Sequence, residues 1–271
     1  MIQPQQVEEQ PRWYVSIGGG TDFTVGDQTL TKALRYDFDV IPILTTAPIT
    51  GTVDLGRDTW DDVFDSRFAR LRGEAGFVLT RHLEIFGRFE YEEASGDRTT
   101  HSRIIFTAGI PPLNGTAFDT IDRHWSDYTS YTGEVGLRYF IFGPEARIRP
   151  FVSLSGGAAW VAGLDNTSDI EFGAGFAFRV YNGPIFEDST VGIGTGAVGV
   201  ELNVAKWAAI GVEAAIRYQS DLSGDDSGFN RSQGGIAALI GFSNYSFLDP
   251  INDNTASRWS IPVTVYTKIR F

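Results

Sequence analysis

The amino-acid sequence predicts an all-β fold: a transmembrane antiparallel up-and-down β-barrel of eight strands. Three observations carry that expectation. Long segments alternate apolar with polar side chains at period two, as strands with two unlike faces do. Tight and long connections take turns between those segments. The second parity is charged, with acids and bases nearly balanced. A water-soluble barrel built to carry lipid would have an apolar interior instead.

The closing segment, Arg258–Phe271, shows the pattern most fully. One parity carries Trp259, Ile261, Val263, Val265, Thr267, Ile269 and Phe271; the other carries Ser260, Pro262, Thr264, Tyr266, Lys268 and Arg270. A strand that long, apolar on one side, reads as a membrane span. Pro262 has no N–H for the ladder and predicts a local irregularity.

In chain order, segment 13–25 puts Trp13, Val15, Ile17, Gly19, Thr21, Phe23 and Val25 on one parity. Segment 67–79 sets Ala69, Leu71, Gly73, Ala75, Phe77 and Leu79 against Arg70, Arg72, Glu74 and Gly76. After the turn Thr80-Arg81-His82, segment 83–92 sets Leu83, Ile85, Gly87, Phe89 and Tyr91 against Glu84, Phe86, Arg88, Glu90 and Glu92. Segment 129–141 sets Tyr131, Val135, Leu137 and Tyr139 against Thr132, Glu134 and Arg138, and Gly143-Pro144-Glu145 then turns the chain. Segment 148–160 sets Ile148, Val152, Leu154 and Trp160 against Arg149, Phe151, Ser153 and Ser155. Segment 192–204 sets Val198, Val200, Leu202 and Val204 against Ala197, Gly199, Glu201 and Asn203. Beyond Ala205-Lys206-Trp207, segment 208–218 sets Ile210, Val212, Ala214, Ile216 and Tyr218 against Gly211, Glu213, Ala215 and Arg217.

The tight connections are 80–82, 142–147 and 205–207; the long ones run over 26–66, 93–128, 161–191 and 219–257. Three short turns and four long loops put both termini on the short-turn side, expected to be periplasmic, with the loops extracellular. Stretches 34–41, 172–180 and 235–248 also alternate or run apolar. They leave two expectations open: hairpins standing above the bilayer, or extra strands raising the count to ten or twelve.

The interior of an eight-stranded barrel is only wide enough for side chains. The expected lumen network is Glu74, Glu84, Glu90, Glu92, Glu134, Glu201 and Glu213 with Arg70, Arg72, Arg88, Arg138, Arg149, Arg217, Lys268 and Arg270. Enclosed charges would pair and plug the lumen, because unpaired buried charge is costly. The inverted arrangement, a soluble sandwich with these residues outside, is opposed by the aromatics. Trp13, Tyr139 and Phe271 fall near the short-turn ends of the apolar parity; Tyr91, Tyr131, Trp160, Tyr218 and Trp259 fall near the long-loop ends. Two such girdles are expected at the two membrane interfaces.

No stretch approaches ~18 consecutive apolar residues, so no transmembrane helix is expected. The absence of Cys excludes disulfides, thiolate zinc sites and cysteine nucleophiles. Residues 1–12 are polar, with two Pro and several Gln, and read as a disordered periplasmic tail ahead of one barrel domain, 13–271. The start lacks a basic segment followed by an apolar one, so any export signal is expected to have been removed. The formal charge of -12 sits in the loops: loop 26–66 has eight Asp against three Lys or Arg. Loops 162–190 and 220–257 each have five acids against one Arg. That acidity suits divalent-cation bridging to lipopolysaccharide phosphate, although solubility alone is the simpler account. It makes nucleic acid an improbable partner.

The opening Trp13-Tyr14-Val15-Ser16-Ile17-Gly18-Gly19-Gly20, the strand and turn rhythm, and the terminal Thr267-Lys268-Ile269-Arg270-Phe271 resemble the small outer-membrane barrels of the OmpA transmembrane domain, OmpX and opacity-protein type. The resemblance covers residues 13–271. It implies a Gram-negative outer-membrane location and makes Val265, Ile269 and Phe271 the match to the signal read by the barrel-assembly machinery. Fold does not fix activity.

Candidate chemistry is sparse. His82 reads as a solvated turn residue, and His101 has no acid beside it. His124 and Ser126 share one strand face, and the pair is similar to the His-x-Ser of outer-membrane lipid A deacylases of the PagL type, with Glu134 as the acid available to orient the imidazole. Three residues match by chance easily, and a structural His is the simpler account. The run Asp221–Gly228 lacks the spacing and closing Glu of an EF-hand. Gly18–Gly20 and Gly192-x-Gly194-x-Gly196 precede no helix and are not phosphate loops. The expectation is a monomeric, non-enzymatic barrel with no cofactor or metal, in contact with lipid and lipopolysaccharide and meeting any external partner through its loops. A narrow porin is the first alternative and a lipid A hydrolase the second.

Overall fold

The computed structural model describes residues 12–26, 28–40, 49–64, 67–108, 117–172, 176–224 and 256–271. In chain order, β1 (Trp13–Thr24) is followed by β2 (Thr29–Thr31), β3 (Leu34–Val40), β4 (Ile49–Leu55), β5 (Asp58–Thr59) and the helical turn α1 (Trp60–Val63). Next come β6 (Arg67–Val78), β7 (Leu83–Ala94), β8 (Arg98–Ala108), β9 (Ala117–Trp125), β10 (Tyr128–Phe140) and β11 (Ile148–Val161). The chain continues with β12 (Leu164–Phe172), β13 (Phe176–Phe186), β14 (Ser189–Ala205), β15 (Ala208–Gln219) and β16 (Arg258–Arg270).

Strands β1, β6, β7, β10, β11, β14, β15 and β16 close into one barrel in that order, each antiparallel to its neighbours. They are the eight alternating segments of the sequence, so the barrel has eight strands rather than ten or twelve. The last strand pairs with the first, Tyr14 opposite Arg270 and Thr24 opposite Ser260. Residues 34–40 of the first stretch become β3, and 172–180 supplies the last residue of β12 and the first five of β13. These belong to a second sheet of six strands, ordered β13-β12-β9-β8-β4-β3, built from the first three long connections. Residues 235–248, the tail 1–11 and Asp225–Gly228 lie outside the described residues.

The apolar parity faces outward along the barrel: Ile17 is 66% exposed and Leu154 71% exposed. Only lipid makes such a surface favourable over a closed ring of strands. The pattern reverses towards the long-loop end. In β14, Val198, Val200, Leu202 and Val204 are exposed, whereas Val191 and Ile193, on the other parity, are buried. Phe68, Tyr128 and Val161 are likewise buried where their strands leave the membrane section. They join Leu30, Trp60, Val63, Phe64, Ile121, Trp125, Leu164 and Ile185 in one apolar core beneath the second sheet.

Pro262 sits in register with Asp22 of β1. On its other side the β15–β16 pairing runs to Ala214 opposite Val263 and resumes at Arg217 opposite Ser260. The expected irregularity therefore falls on the β15 side, where a proline cannot donate. Two inward glycines make room for rings that cross the lumen. A Cβ at Gly76 would collide with the ring of Tyr14, and one at Gly211 with the ring of Tyr266.

Candidate functional site: the lumen and its outer mouth

All fifteen acids and bases of the predicted lumen set lie inside the barrel wall, buried, with Arg270 at the short-turn end the most exposed at 9%. Strand geometry stacks them in layers. Nearest the short turns, Glu201 bridges Lys268 and Arg270, each at 2.8 Å, with Arg149 at 3.7 Å. Lys268 also reaches Glu84 at 2.7 Å and lies 3.9 Å from the ring centre of Tyr14. Arg149 packs over Phe140 at 3.6 Å.

The central layer is built on Glu74. Its carboxylate accepts hydrogen bonds from Arg138 at 2.8 and 3.0 Å, from Arg88 at 3.2 Å, from Arg72, and from the Tyr14 hydroxyl at 3.1 Å. Glu213 faces the same guanidinium groups, 2.8 Å from Arg72 and 3.1 Å from Arg88. The next layer joins Glu90 to Arg70 and Arg217. There Glu134 accepts from Arg217 at 2.9 Å, Ser155 at 2.6 Å and Thr195 at 2.9 Å. Glu74, Glu90, Glu134, Glu201 and Glu213 thus each face more than one cationic or hydroxyl donor, which is what makes enclosed charge tolerable.

A further layer contains two residues absent from the predicted set. Arg258 pairs with Asp22 at 3.1 Å and with Glu92, and Ser260 donates to Asp22 at 2.9 Å. Both were open to the parity argument: Asp22 shares the parity of Tyr14 and Ser16, and Arg258 that of Ser260. With them the lumen holds nine bases and eight acids. Above this layer stands an aromatic cap. Arg258 lies beneath Phe68 at 4.2 Å and beneath Trp60 and Tyr128 at 5.3 Å each. Trp60 and Tyr128 meet edge-on, 5.6 Å between centroids. The cap had no sequence signal, because Trp60 belongs to a four-residue turn inside a long loop.

The predicted girdle residues are on the outer surface. Tyr91, Tyr131 and Trp160 form a continuous row, with ring centroids 5.3 and 5.7 Å apart, and Tyr218 packs at a tilt against Trp259 at 4.9 Å. At the other end Trp13 meets Phe77 at 4.8 Å and Tyr139 stacks on His82 at 5.9 Å. Val265, Ile269 and Phe271 all face outward.

The His124–Ser126–Glu134 constellation does not assemble. Glu134 is committed inside the lumen, bonded to Arg217, Ser155 and Thr195. His124 is an exposed residue of β9 in the second sheet, away from the membrane section. The Ser126 hydroxyl accepts the backbone N–H of Asp165 at 3.0 Å, a structural role. His82 is half-buried rather than freely solvated: its Nδ1 donates to the Phe140 carbonyl at 2.9 Å. The side chain of His101 lies outside the described residues. Among the described residues, no group of three or more His, Cys, Asp or Glu is arranged to hold a metal ion.

The chain is an outer-membrane-type β-barrel, as its closed strand order and lipid-facing surface establish. No family model matches it, and no curated protein matches it by sequence. Among solved structures it is similar to Neisserial surface protein A, with 11% identity over 96% of this chain and 97% of that one, at a TM-score of 0.36. It is also similar to Ail, the attachment invasion locus protein of Yersinia pestis, with 10% identity over 96% and 99% of the two chains and a TM-score of 0.35. A third likeness is to the outer membrane protease OmpT of Escherichia coli, with 11% identity over 98% and 99% and a TM-score of 0.41.

Proposed function

We propose that this chain is an integral outer-membrane protein of a Gram-negative bacterium that acts through its outer surface and not through its lumen. The barrel is the anchor. The six-stranded sheet above it is the part that meets a partner, whether in adhesion, in loop-mediated binding or in holding the envelope together. It works as a monomer, surrounded by lipid and lipopolysaccharide, inserted by the barrel-assembly machinery and without catalytic chemistry of its own.

One observation carries this reading: the lumen is filled. Four layers of ion pairs occupy the membrane section, and the Trp60, Phe68 and Tyr128 rings lie over the last of them. A solute would have to break several pairs whose partners are then left in a dry interior, each at a cost of several kcal/mol. An eight-stranded barrel has no spare width for a path beside them.

The test is single-channel recording in planar bilayers. This reading expects no conductance steps above the leak. Steady, reproducible steps would favour a narrow porin and remove the closed-anchor reading.

A further inference from the structure

A short piece of the first long connection stands in the mouth of the barrel. Thr59 starts its helical turn, with Oγ1 accepting the Asp62 amide N–H at 3.2 Å. Trp60, Val63 and Phe64 are completely buried. The Trp60 ring lies over Arg258, which pairs with Asp22, and Asp22 accepts from Ser260. The indole is therefore one of the three rings, with Phe68 and Tyr128 of the barrel strands, that cover the ion pairs of the lumen, and the one that belongs to the loop. The piece is held to its neighbour by backbone bonds, Asp97 N–H to the Val63 carbonyl at 2.7 Å and a bridge between Phe64 and Gly96.

The other end is held by the β2–β5 pairing, by the Trp60 N–H to the Gln28 carbonyl at 3.0 Å and by one buried ion pair. Asp58, directly before the cap, is fully buried and pairs with Arg123 of β9. Its carboxylate also accepts from Thr31 at 3.1 Å. Arg123 is buried too, 5.3 Å from the ring centre of Trp125. The opposite face of the same strand carries exposed His124, and Asp122 paired with half-exposed Arg98. A single strand thus presents exposed His124 and buried Asp122 on one side and the partner of Asp58 on the other.

We infer that Asp58–Phe64 is a latched stopper, and that the Asp58–Arg123 pair couples the β8–β9 hairpin outside to closure of the mouth beneath it. A contact that shifts β9 draws Arg123 away from Asp58. The carboxylate is then a lone charge in a dry setting, and the favourable response is to move to water. Trp60, two residues on, moves with it and opens a gap beside Phe68 and Tyr128 in the cover over the Arg258 layer. Neutralising both partners removes the force that opens the mouth. The inference rests on the closed-barrel reading only in taking this mouth as the outer one; the deeper ion pairs stay in place.

The chain has no Cys, so Ser260→Cys puts one thiol directly under the stopper. The measurement is its rate of labelling by a membrane-impermeant maleimide, on protein whose folding is checked by heat-modifiable gel mobility. Labelling is expected to be slow in the otherwise native chain. Trp60→Ala and Arg123→Gln should each speed it by about tenfold or more, as local opening becomes cheaper. Arg123→Gln combined with Asp58→Asn should return it towards the native rate. Equal rates in the native chain and in Trp60→Ala would overturn the stopper. Acceleration by Trp60→Ala but not by Arg123→Gln would overturn the latch. Should Arg123→Gln lose its folded mobility, Asp58→Asn alone tests the latch from the other partner: with no carboxylate to expel, labelling should stay near the native rate, and acceleration as large as that of Trp60→Ala would overturn the latch. Conductance in the native chain alongside a protected thiol would sink the closed-anchor reading and leave the latch standing.

Discussion

The two halves of this molecule solve the problem of an interior in opposite ways. Within the membrane section the wall is apolar outside and ionic inside, with Glu74, Arg138 and Arg88 packed where a soluble protein would keep leucines. Above it the wall turns inside out: Ile121, Trp125, Leu164 and Ile185 are buried, and His124 and Arg98 are at the surface. The strand β14 passes through both regimes: its buried face is one parity throughout, filled by Val191 and Ile193 above and by Glu201 in the membrane section. The solvent outside decides which parity must be apolar, and the inside takes what remains. Lipid forces the apolar set outward, so the second set has to satisfy itself by pairing; water reverses the assignment.

That contrast can be broken first at the centre of the lumen. Glu74→Leu leaves Arg72, Arg88 and Arg138 short of their shared carboxylate. It should destabilise the barrel by about 3–5 kcal/mol, the usual penalty for stranding a buried partner, read as a lower denaturant midpoint in detergent. An unchanged midpoint would mean the layer is not dry. Next in size is the outer surface. Leu154→Arg, near the middle of β11, should cost about 2–4 kcal/mol in lipid. The same variant unfolded from a detergent micelle sharpens the comparison, because the penalty should shrink where water can reach the side chain.

A smaller effect is expected in the upper half. Thr59→Ala removes the cap of α1 and should cost about 1 kcal/mol. It should also raise proteolysis of the first loop without moving the barrel's heat-modifiable band. A coupled loss of both would show that the two halves unfold together. The smallest effect is at the short turns. Arg81 and Glu145 pair at 3.2 Å with both side chains mostly exposed, and Arg81→Ala should leave the midpoint where it is.

The same reversal explains what the sequence could and could not tell. Period-two alternation located all eight barrel strands, because in lipid the contrast between faces is between isoleucine and arginine. Above the membrane the contrast fades. β8 and β9 mix Thr, Arg, His and Asp across both parities and raised no strand signal beyond the face read for His124 and Ser126, and β9 ends at Trp125, before Ser126. Stretch 34–41 alternated clearly, yet alternation alone does not say which sheet a strand joins. Asp22 and Arg258 were missed for a related reason. They sit near the level where the parity rule changes over, so neither stood within a run of like positions. Trp60 is buried by long-range packing against Phe68 and Tyr128, which no local pattern reports.

The most direct test is a nitroxide walked along the outward positions of β14, one site per variant, in liposomes. Residues 198, 200 and 202 should be open to oxygen dissolved in the bilayer and closed to a water-soluble nickel chelate, with chelate access rising at Thr190 and Lys206. Free access of the chelate to a label at Val198 would contradict the account, since that face would then be bathed in water and the ion pairs would have no reason to be enclosed.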